Sequence, residues 1–403
     1  MTMPSLLQIN ITANWGSHGR IAEQIGNLVM QEGWDSYIAY GRWANQSRSH
    51  LIRIGSMLDE RLHAVETRLF DNHGLASGGA TRSLIKKIES VNPDIIHLHN
   101  IHGYYLNYPI LFQFLKSFGH PVVWTFHDCW PLTGHCSHFM FSGCEKWKTG
   151  CHGCEEKREY PSSVFLDRSS RNYRLKKEYF TSLENLTLVP VSHWLESVIK
   201  ESFLSSFPIR CINNGIDVNQ FRIIERAKEK IGAGDKKIVL AVASRWTGRK
   251  GFDDICRLRE KLDNRFRIIM VGVSEAQKQV LPEGITGITR TNSIEELALY
   301  YSAADVFINP TYEDSFPTTN IEALACGTPV VTYKTGGSPE IIDSSTGIVV
   351  PCGDLDALGN AVGAICFTWR KDDCQAMCRN RVLQNFRQED RYLEYYLLYK
   401  SLL

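Results

Sequence analysis

The sequence predicts an α/β protein made of two doubly wound, parallel-sheet domains. Three observations carry that reading. Short β-branched apolar runs alternate with longer helical patterns along the chain. The strand-like runs are apolar throughout, as in Ile238-Val239-Leu240-Ala241-Val242-Ala243, which suits strands covered by helices on both faces. The alternation also occurs twice, with a break near residues 192–210, and 403 residues at about 150 per domain allow two or three cores. The expected division is an N-terminal domain over 1–192, a C-terminal domain over 193–385, and a capping helix over 386–403 with the freedom to cross back to the first domain.

In the first run, strands are expected at 5–11, 36–40, 94–99, 121–127 and 186–191, and helices at 18–31, 80–90, 109–117 and 169–182. Leu6, Leu7, Ile9 and Ile11 mark the first strand as buried. In the second run, strands are expected at 209–213, 237–243, 266–272, 305–309, 329–333 and 347–350. Its helices are expected at 252–262, 294–303 and 317–326. The last of these starts at Pro317, whose missing N–H costs nothing at the first helical position. Gly327 ends it, and Pro329 forbids its continuation. The terminal pattern of Tyr392, Tyr395, Tyr396, Leu398, Tyr399 and Leu402 is amphipathic, with aromatics on the apolar side.

Composition excludes several classes. Hydrophobic residues make up 43% and charged residues 22%, which rules out disordered and fibrous chains. Lys plus Arg number 45 against 44 Asp plus Glu, so no basic excess points to nucleic acid. No apolar stretch reaches the roughly 20 residues that span a bilayer. The N-terminal segment lacks the basic lead and cleavage site of a secretory signal. A cytoplasmic protein is expected, one that touches the inner face of a membrane at most peripherally. Twelve Cys are too few for a disulfide scaffold, yet five of them crowd into Cys129–Cys154.

The most informative block is Thr311-Tyr312-Glu313-Asp314-Ser315-Phe316-Pro317-Thr318-Thr319, between a strand and a helix. The backbone N–H groups around Ser315, Phe316, Thr318 and Thr319 (Pro317 has none) form an anion site at a helix N-terminus. Asp314 and Glu322 flank it with seven residues between them, where carboxylates accept hydrogen bonds from sugar or ribose hydroxyls. Upstream, the loop Ala243-Ser244-Arg245-Trp246-Thr247-Gly248-Arg249-Lys250-Gly251 leaves a strand and enters a helix. Arg245 and Lys250 there make a clamp for a diphosphate.

Together with Asn214-Gly215-Ile216-Asp217, these motifs resemble family 4 glycosyltransferases, in particular the bacterial, colanic-acid-type enzymes of polysaccharide assembly. The loop Gly16-Ser17-His18-Gly19-Arg20 and the segment Thr125-Phe126-His127-Asp128 look similar too. The resemblance implies the GT-B fold of two facing Rossmann-like domains, and retaining transfer of a sugar from a UDP- or GDP-sugar. The implied acceptor is a hydroxyl of a growing cell-envelope glycan or lipid-linked oligosaccharide. It implies donor-diphosphate contacts from Arg245 and Lys250, ribose contacts from Glu322, and a place near the donor sugar for His127. Gly16 and Gly19 match the loop that approaches the donor phosphates. Asp314 stands where the family more often has Glu, one methylene longer; neighbouring Glu313 is the substitute. No catalytic cofactor is implied, because cations and amides do the work of a metal. The alternatives are a nucleotide-sugar-binding subunit without transfer activity and a sugar-nucleotide epimerase of the same fold.

Other residues point less sharply. His97 and His99 share a strand face and read as strand-end structure rather than metal ligands. Glu340, in Gly336-Gly337-Ser338-Pro339-Glu340, either reads the donor sugar or serves helix electrostatics. Base recognition is expected from the backbone near Ile288 to Arg290. The stretch Arg168 to Lys177 reads as a solvated face. Cys136-x7-Cys144-x6-Cys151-x2-Cys154 is assigned to a structural zinc, with two disulfides or four free thiols as alternatives.

Overall fold

The computed structural model describes residues 3–403. It contains two six-stranded sheets, each fully parallel. The first comprises β1 (Ser5–Ala13), β2 (Asp35–Ala44), β3 (His50–Arg53), β4 (Ile95–Leu98), β5 (Val122–Phe126) and β6 (Leu186–Pro190), in the order β3-β2-β1-β4-β5-β6. The second comprises β7 (Lys237–Val242), β8 (Phe266–Val271), β9 (Ile285–Ile288), β10 (Val306–Asn309), β11 (Val330–Tyr333) and β12 (Gly347–Val350), in the order β12-β11-β10-β7-β8-β9. Both sheets reverse direction of winding beside their first strand, between β1 and β4 and between β7 and β10. Ligands of doubly wound sheets bind outside the carboxyl ends of the strands at that reversal. The loops after β1, β4, β7 and β10 are therefore the places to look.

The chain forms two compact units, one running up to Asn213 and taking back Tyr392–Leu403, the other Asn214–Arg391. The boundary lies beyond the expected residue 192 because β6 is followed by its own helix, His193–Lys200, capped by Ser192 Oγ on the Leu195 amide. The expected strand at 209–213 is not an element of the second sheet. Ile209 makes an isolated parallel bridge to Leu188, extending the first sheet's edge.

The terminal helix Gln388–Leu402 explains the aromatic pattern. Tyr392, Tyr395, Tyr396, Leu398 and Tyr399 are buried in one apolar cluster with Leu6, Ile21, Ile25, Val29 and Trp34 of the first unit. Each such side chain contributes about 1.5–3 kcal/mol by leaving water. The buried hydroxyls are satisfied too. Thr125 Oγ1 donates to Tyr395 Oη at 3.1 Å, so His97 Nε2 donates to Thr125 (2.8 Å) and His97 Nδ1 accepts from Tyr399 Oη (2.7 Å). His97 is structural, as its strand position predicts. In the second unit the core runs from Val239, Ile268 and Ile308 on the sheet to Ile255, Leu258, Leu358 and Val362 on the covering helices.

Candidate active site

In the second unit, two βα loops are stitched together at the sheet's reversal. The chain leaves β7 pinned by Trp246, whose Nε1 donates to Val271 O at 2.9 Å. It then makes a 3-10 turn, Gly248–Lys250. Gly251 follows at φ 78°, and a Cβ there would lie 2.2 Å from Pro310 O. Only glycine lets this loop lie against the segment that follows β10. Four polar contacts result. Tyr312 N donates to Arg249 O at 2.8 Å, and Arg249 Nη1 donates to Glu313 Oε1 at 2.8 Å. Lys250 Nζ donates to Glu313 O at 3.0 Å and to Asp314 Oδ2 at 2.8 Å.

Those contacts decide between the two neighbouring acids. The Glu313 side chain is 8% exposed and held by Arg249, whereas Asp314 is 26% exposed. Asp314 is thus the acid turned toward the open side, and its Oδ1 also accepts from Phe316 N at 3.2 Å.

A third loop closes on the same point. Gly336 sits at φ 50°, where a Cβ would meet Asp314 O at 1.7 Å, and Thr335 Oγ1 donates to Tyr312 O at 2.9 Å. The hydroxyls of Ser315 and Ser338, both buried, have no hydrogen-bond partner among the described residues. Both stand beside helix starts, Thr318–Ala325 and Ser338–Ile341. The first of these helices begins one residue later than expected, with Pro317 as its cap at ψ 111° rather than in its first turn. Its opening amides, at Thr318 and Thr319, have no side-chain cap. Two unpartnered hydroxyls, an ammonium and a helix N-terminus make a site suited to an anion.

Glu322 lies one turn along that helix and accepts from the buried Tyr301 hydroxyl at 3.0 Å. Glu340 is in the four-residue helix after the glycine pair, with its carbonyl held by Arg381 Nη2 at 3.1 Å. Arg245 is exposed and opens onto a pocket of about 540 Å³ that it lines with Gly272, Ser274, Gln277 and Thr289. Thr289 belongs to the stretch expected to read the base, so these two expectations converge on one pocket. Gly272 was not expected. At φ 93° its Cβ would lie 1.7 Å from Ala243 O, so the wall of the pocket requires glycine.

The first unit carries its own cluster at the ends of β1, β4 and β5. Gly16 opens the helix Gly16–Gln31 at φ 69°, and Gly19 packs so closely that a Cβ would meet Thr12 Oγ1 at 2.5 Å. His127 lies past the end of β5, and its Nε2 is 3.1 Å from His99 Nδ1. His99 Nε2 in turn is 3.0 Å from Gln8 Oε1, while Gln8 Nε2 donates to Ala22 O at 2.7 Å. Gln8 therefore accepts from His99, His99 accepts from His127 Nε2, and His127 Nδ1 is left as a hydrogen-bond acceptor. Burial, then neighbouring His99 and His18, holds His127 neutral, well below the usual histidine range. His99 is thus more than strand-end structure. Sequence spacing could not reveal it, because its partners lie 28 and 91 residues away.

Asp128 is part of the same end of the sheet. His102 Nε2 is 2.8 Å from its Oδ2, and Trp130 N donates to its Oδ1 at 2.9 Å. Burial opposes its ionisation, yet His102 and the other donors win and hold the carboxyl below the usual range.

The histidines predict an acid sensitivity. Burial, then His102, lowers His18 to about 4. In the unfolded chain the same ring titrates near 6.5, so the unfolded state binds the extra proton first as pH falls. Stability should be flat above about pH 6.5 and fall below it toward pH 4, each such histidine contributing at most about 1.4 kcal/mol per pH unit. Urea denaturation at several pH values should show a shallower decline for His18→Asn. An identical slope would refute this account.

The comparisons agree with the architecture. The family model described as Glycosyltransferase Family 4 matches residues 19–220, and that described as Glycosyl transferases group 1 matches residues 236–366. The putative colanic acid biosynthesis glycosyl transferase WcaC of Escherichia coli K12 is 25% identical over 368 residues, covering 86% of this chain and 87% of its own. Among solved structures, sucrose-phosphate synthase from Thermosynechococcus elongatus superposes with a TM-score of 0.74 at 18% identity, over 99% of both chains. Anabaena HepE, in complex with UDP and glucose, superposes with a TM-score of 0.70 at 12% identity, over 99% of this chain and 100% of its own. The shared architecture is the GT-B fold.

Proposed function

The chain belongs to glycosyltransferase family 4, whose model spans half its length, and from that premise we propose a retaining transferase that uses a nucleotide-diphosphate sugar. The acceptor is a hydroxyl of a cell-envelope glycan or lipid-linked oligosaccharide, in keeping with the colanic-acid relative. One observation carries the donor reading: Lys250 Nζ holds Glu313 O and Asp314 Oδ2, directly before Ser315, whose buried hydroxyl has no partner among the described residues at the start of the helix Thr318–Ala325.

As the glycosidic bond breaks, negative charge grows on the leaving diphosphate. Lys250, Arg245 and the amides near 315–319 stabilise that charge, and preorganised donors act most strongly where charge develops. Glu322 takes the ribose hydroxyls, Asp314 the donor sugar, and Glu340 contributes from the adjacent loop. In the first unit, Gly16 and Gly19 hold the turn into the helix after β1, and neutral His127 keeps Nδ1 as a hydrogen-bond acceptor. Retention follows from same-face attack within a short-lived ion pair, a donor phosphate oxygen taking the acceptor's proton. The reading keeps the reaction cytoplasmic, with contact at the inner face of the membrane at most peripheral.

The test is a donor screen followed by product analysis. UDP-, GDP- and ADP-sugars are screened for thermal stabilisation, since a ligand that binds only the folded state raises its stability. The stabilising donor is then incubated with acceptor. Released nucleoside diphosphate with an anomerically retained product supports the reading. A new sugar isomer, or binding without turnover on any acceptor, would overturn it.

A further inference from the structure

The segment between β5 and the helix Ser169–Phe180 contains only two 3-10 turns, Trp130–Leu132 and Lys146–Lys148. Loops beyond about 12–15 residues with so little structure are uncommon in compact domains and need something to order them. Part of the answer is apolar: Phe139 and Trp147 stack with ring centroids 4.8 Å apart. The rest centres on sulfur. Cys136, Cys144, Cys151 and Cys154 all line one small, partly open cavity of about 20 Å³, together with Phe139 and Trp147. A space of that size holds one water-sized particle.

The backbone is arranged around these sulfurs. Gly143, Gly150 and Gly153 stand directly before Cys144, Cys151 and Cys154, at φ 62°, 156° and 52°. A Cβ on any of the three would touch nothing within 4 Å, so glycine is there for the turn rather than for space. Two left-handed glycines and one nearly extended glycine thus each precede a cysteine that lines one cavity. A backbone amide is already aimed at a sulfur, Gly134 N donating to Cys151 Sγ at 3.2 Å. Gly134 is itself held in place, since a Cβ there would meet Ser169 O at 2.1 Å. Such N–H···S contacts are the outer-shell support of metal thiolates.

Charge fits as well. Four thiolates around a divalent ion carry a net charge of −2. Lys146 lines the cavity. Lys176 donates to Trp130 O at 2.6 Å and makes no salt bridge with a carboxylate among the described residues. The stretch expected to be a solvated face is therefore only partly one: Ser169, Asn172 and Tyr173 are buried as well, and Lys176 is its one buried cation.

We propose that Cys136, Cys144, Cys151 and Cys154 hold one structural zinc ion that closes this loop. Zinc–sulfur bonds of about 2.3 Å in a tetrahedron place sulfurs about 3.8 Å apart. The four sulfurs are not yet at that spacing. Among the described residues, the group of three ligand atoms already within 4.8 Å of one another is His193, Glu196 and Cys211. That group is partly exposed, and Lys200 Nζ occupies Glu196 at 2.7 Å, so it does not compete as a site. Zinc draws the cysteine sulfurs inward and releases their four protons.

The experiment measures metal in the full chain purified under reducing conditions, by mass spectrometry of the elements. About one zinc per chain is expected in the wild type and in Cys352→Ser, an exposed cysteine of the second unit, and none in Cys151→Ser/Cys154→Ser. Should the double variant fail to fold, the wild type decides. Removing zinc with a chelator should lower its thermal midpoint, and added Co²⁺ should give the visible absorption of a tetrahedral cobalt thiolate. A folded, zinc-free wild type whose four thiols react together with a thiol reagent would overturn the proposal. So would bridged cysteines under non-reducing mass spectrometry, or full zinc retention by Cys151→Ser/Cys154→Ser.

Discussion

Lys250→Ala should cut turnover by roughly 30- to 1,000-fold, the loss of about 2–4 kcal/mol expected when one preorganised donor to a developing anion is removed. Its stability should change far less. The Nζ is partly exposed, at 37% side-chain accessibility, and its two contacts are to Glu313 O and Asp314 Oδ2. Arg249 keeps the two loops joined without it, through Tyr312 N and Glu313 Oε1. Arg245→Ala should lose turnover similarly. It is exposed on the 540 Å³ pocket, so its removal leaves no buried group unsatisfied. Steady-state kinetics beside urea denaturation separates the two effects. Near-wild-type turnover in both variants would sink the assignment of the leaving group to these cations. A collapse of stability in Lys250→Ala would recast that residue as a structural tie.

That contrast shows where sequence reading stops. The two sheets were legible because parallel strands buried on both faces are apolar runs, as Ile238–Ala241 shows with 0% exposure throughout. β3 and β9 were missed for the same reason reversed. They are the outermost strands on one side of each sheet, and no residue of either is fully buried. A helix following β6 is locally indistinguishable from one preceding a new sheet, so sequence divides the chain at 192 where the compact units divide after Asn213. In the site, glycines and prolines marked the loops at 245–251 and 311–319, since punctuation is local chemistry. Gly272 and Gln8 carry no local signal, and His99 shows in sequence only as a companion of His97 on one strand face. Each matters through a neighbour distant in sequence, Gly336 against Asp314 O and His99 against Gln8. The Glu313–Asp314 ambiguity also had no solution in sequence, because only the fold places Arg249 on one and Lys250 on the other.

Glu322→Gln should weaken binding of the free nucleoside diphosphate by roughly 10- to 150-fold, whereas Asp314→Asn should leave it within about twofold and impair transfer instead. The first magnitude is one charge-assisted hydrogen bond, about 1.5–3 kcal/mol, converted at 1.4 kcal/mol per tenfold. Gln rather than Ala is the informative change at 322. The buried Tyr301 hydroxyl donates to Glu322 Oε2, and Ala would strand it at a cost of about 1–3 kcal/mol of stability. Gln keeps an acceptor for Tyr301 while removing the charge that ribose hydroxyls recognise. The Asp314 variant needs the same care, since Lys250 loses its carboxylate partner and keeps only Glu313 O. Asn keeps one acceptor oxygen, and facing Phe316 N with it preserves the turn into the helix while Lys250 loses its side-chain acceptor. Calorimetry with free nucleotide reports on Glu322 alone, and transfer assays report on both. Unchanged nucleotide affinity in Glu322→Gln would remove Glu322 from the ribose. Weakened affinity in Asp314→Asn, equal to that at 322, would mean that the two acids act as one nucleotide site rather than dividing ribose from sugar.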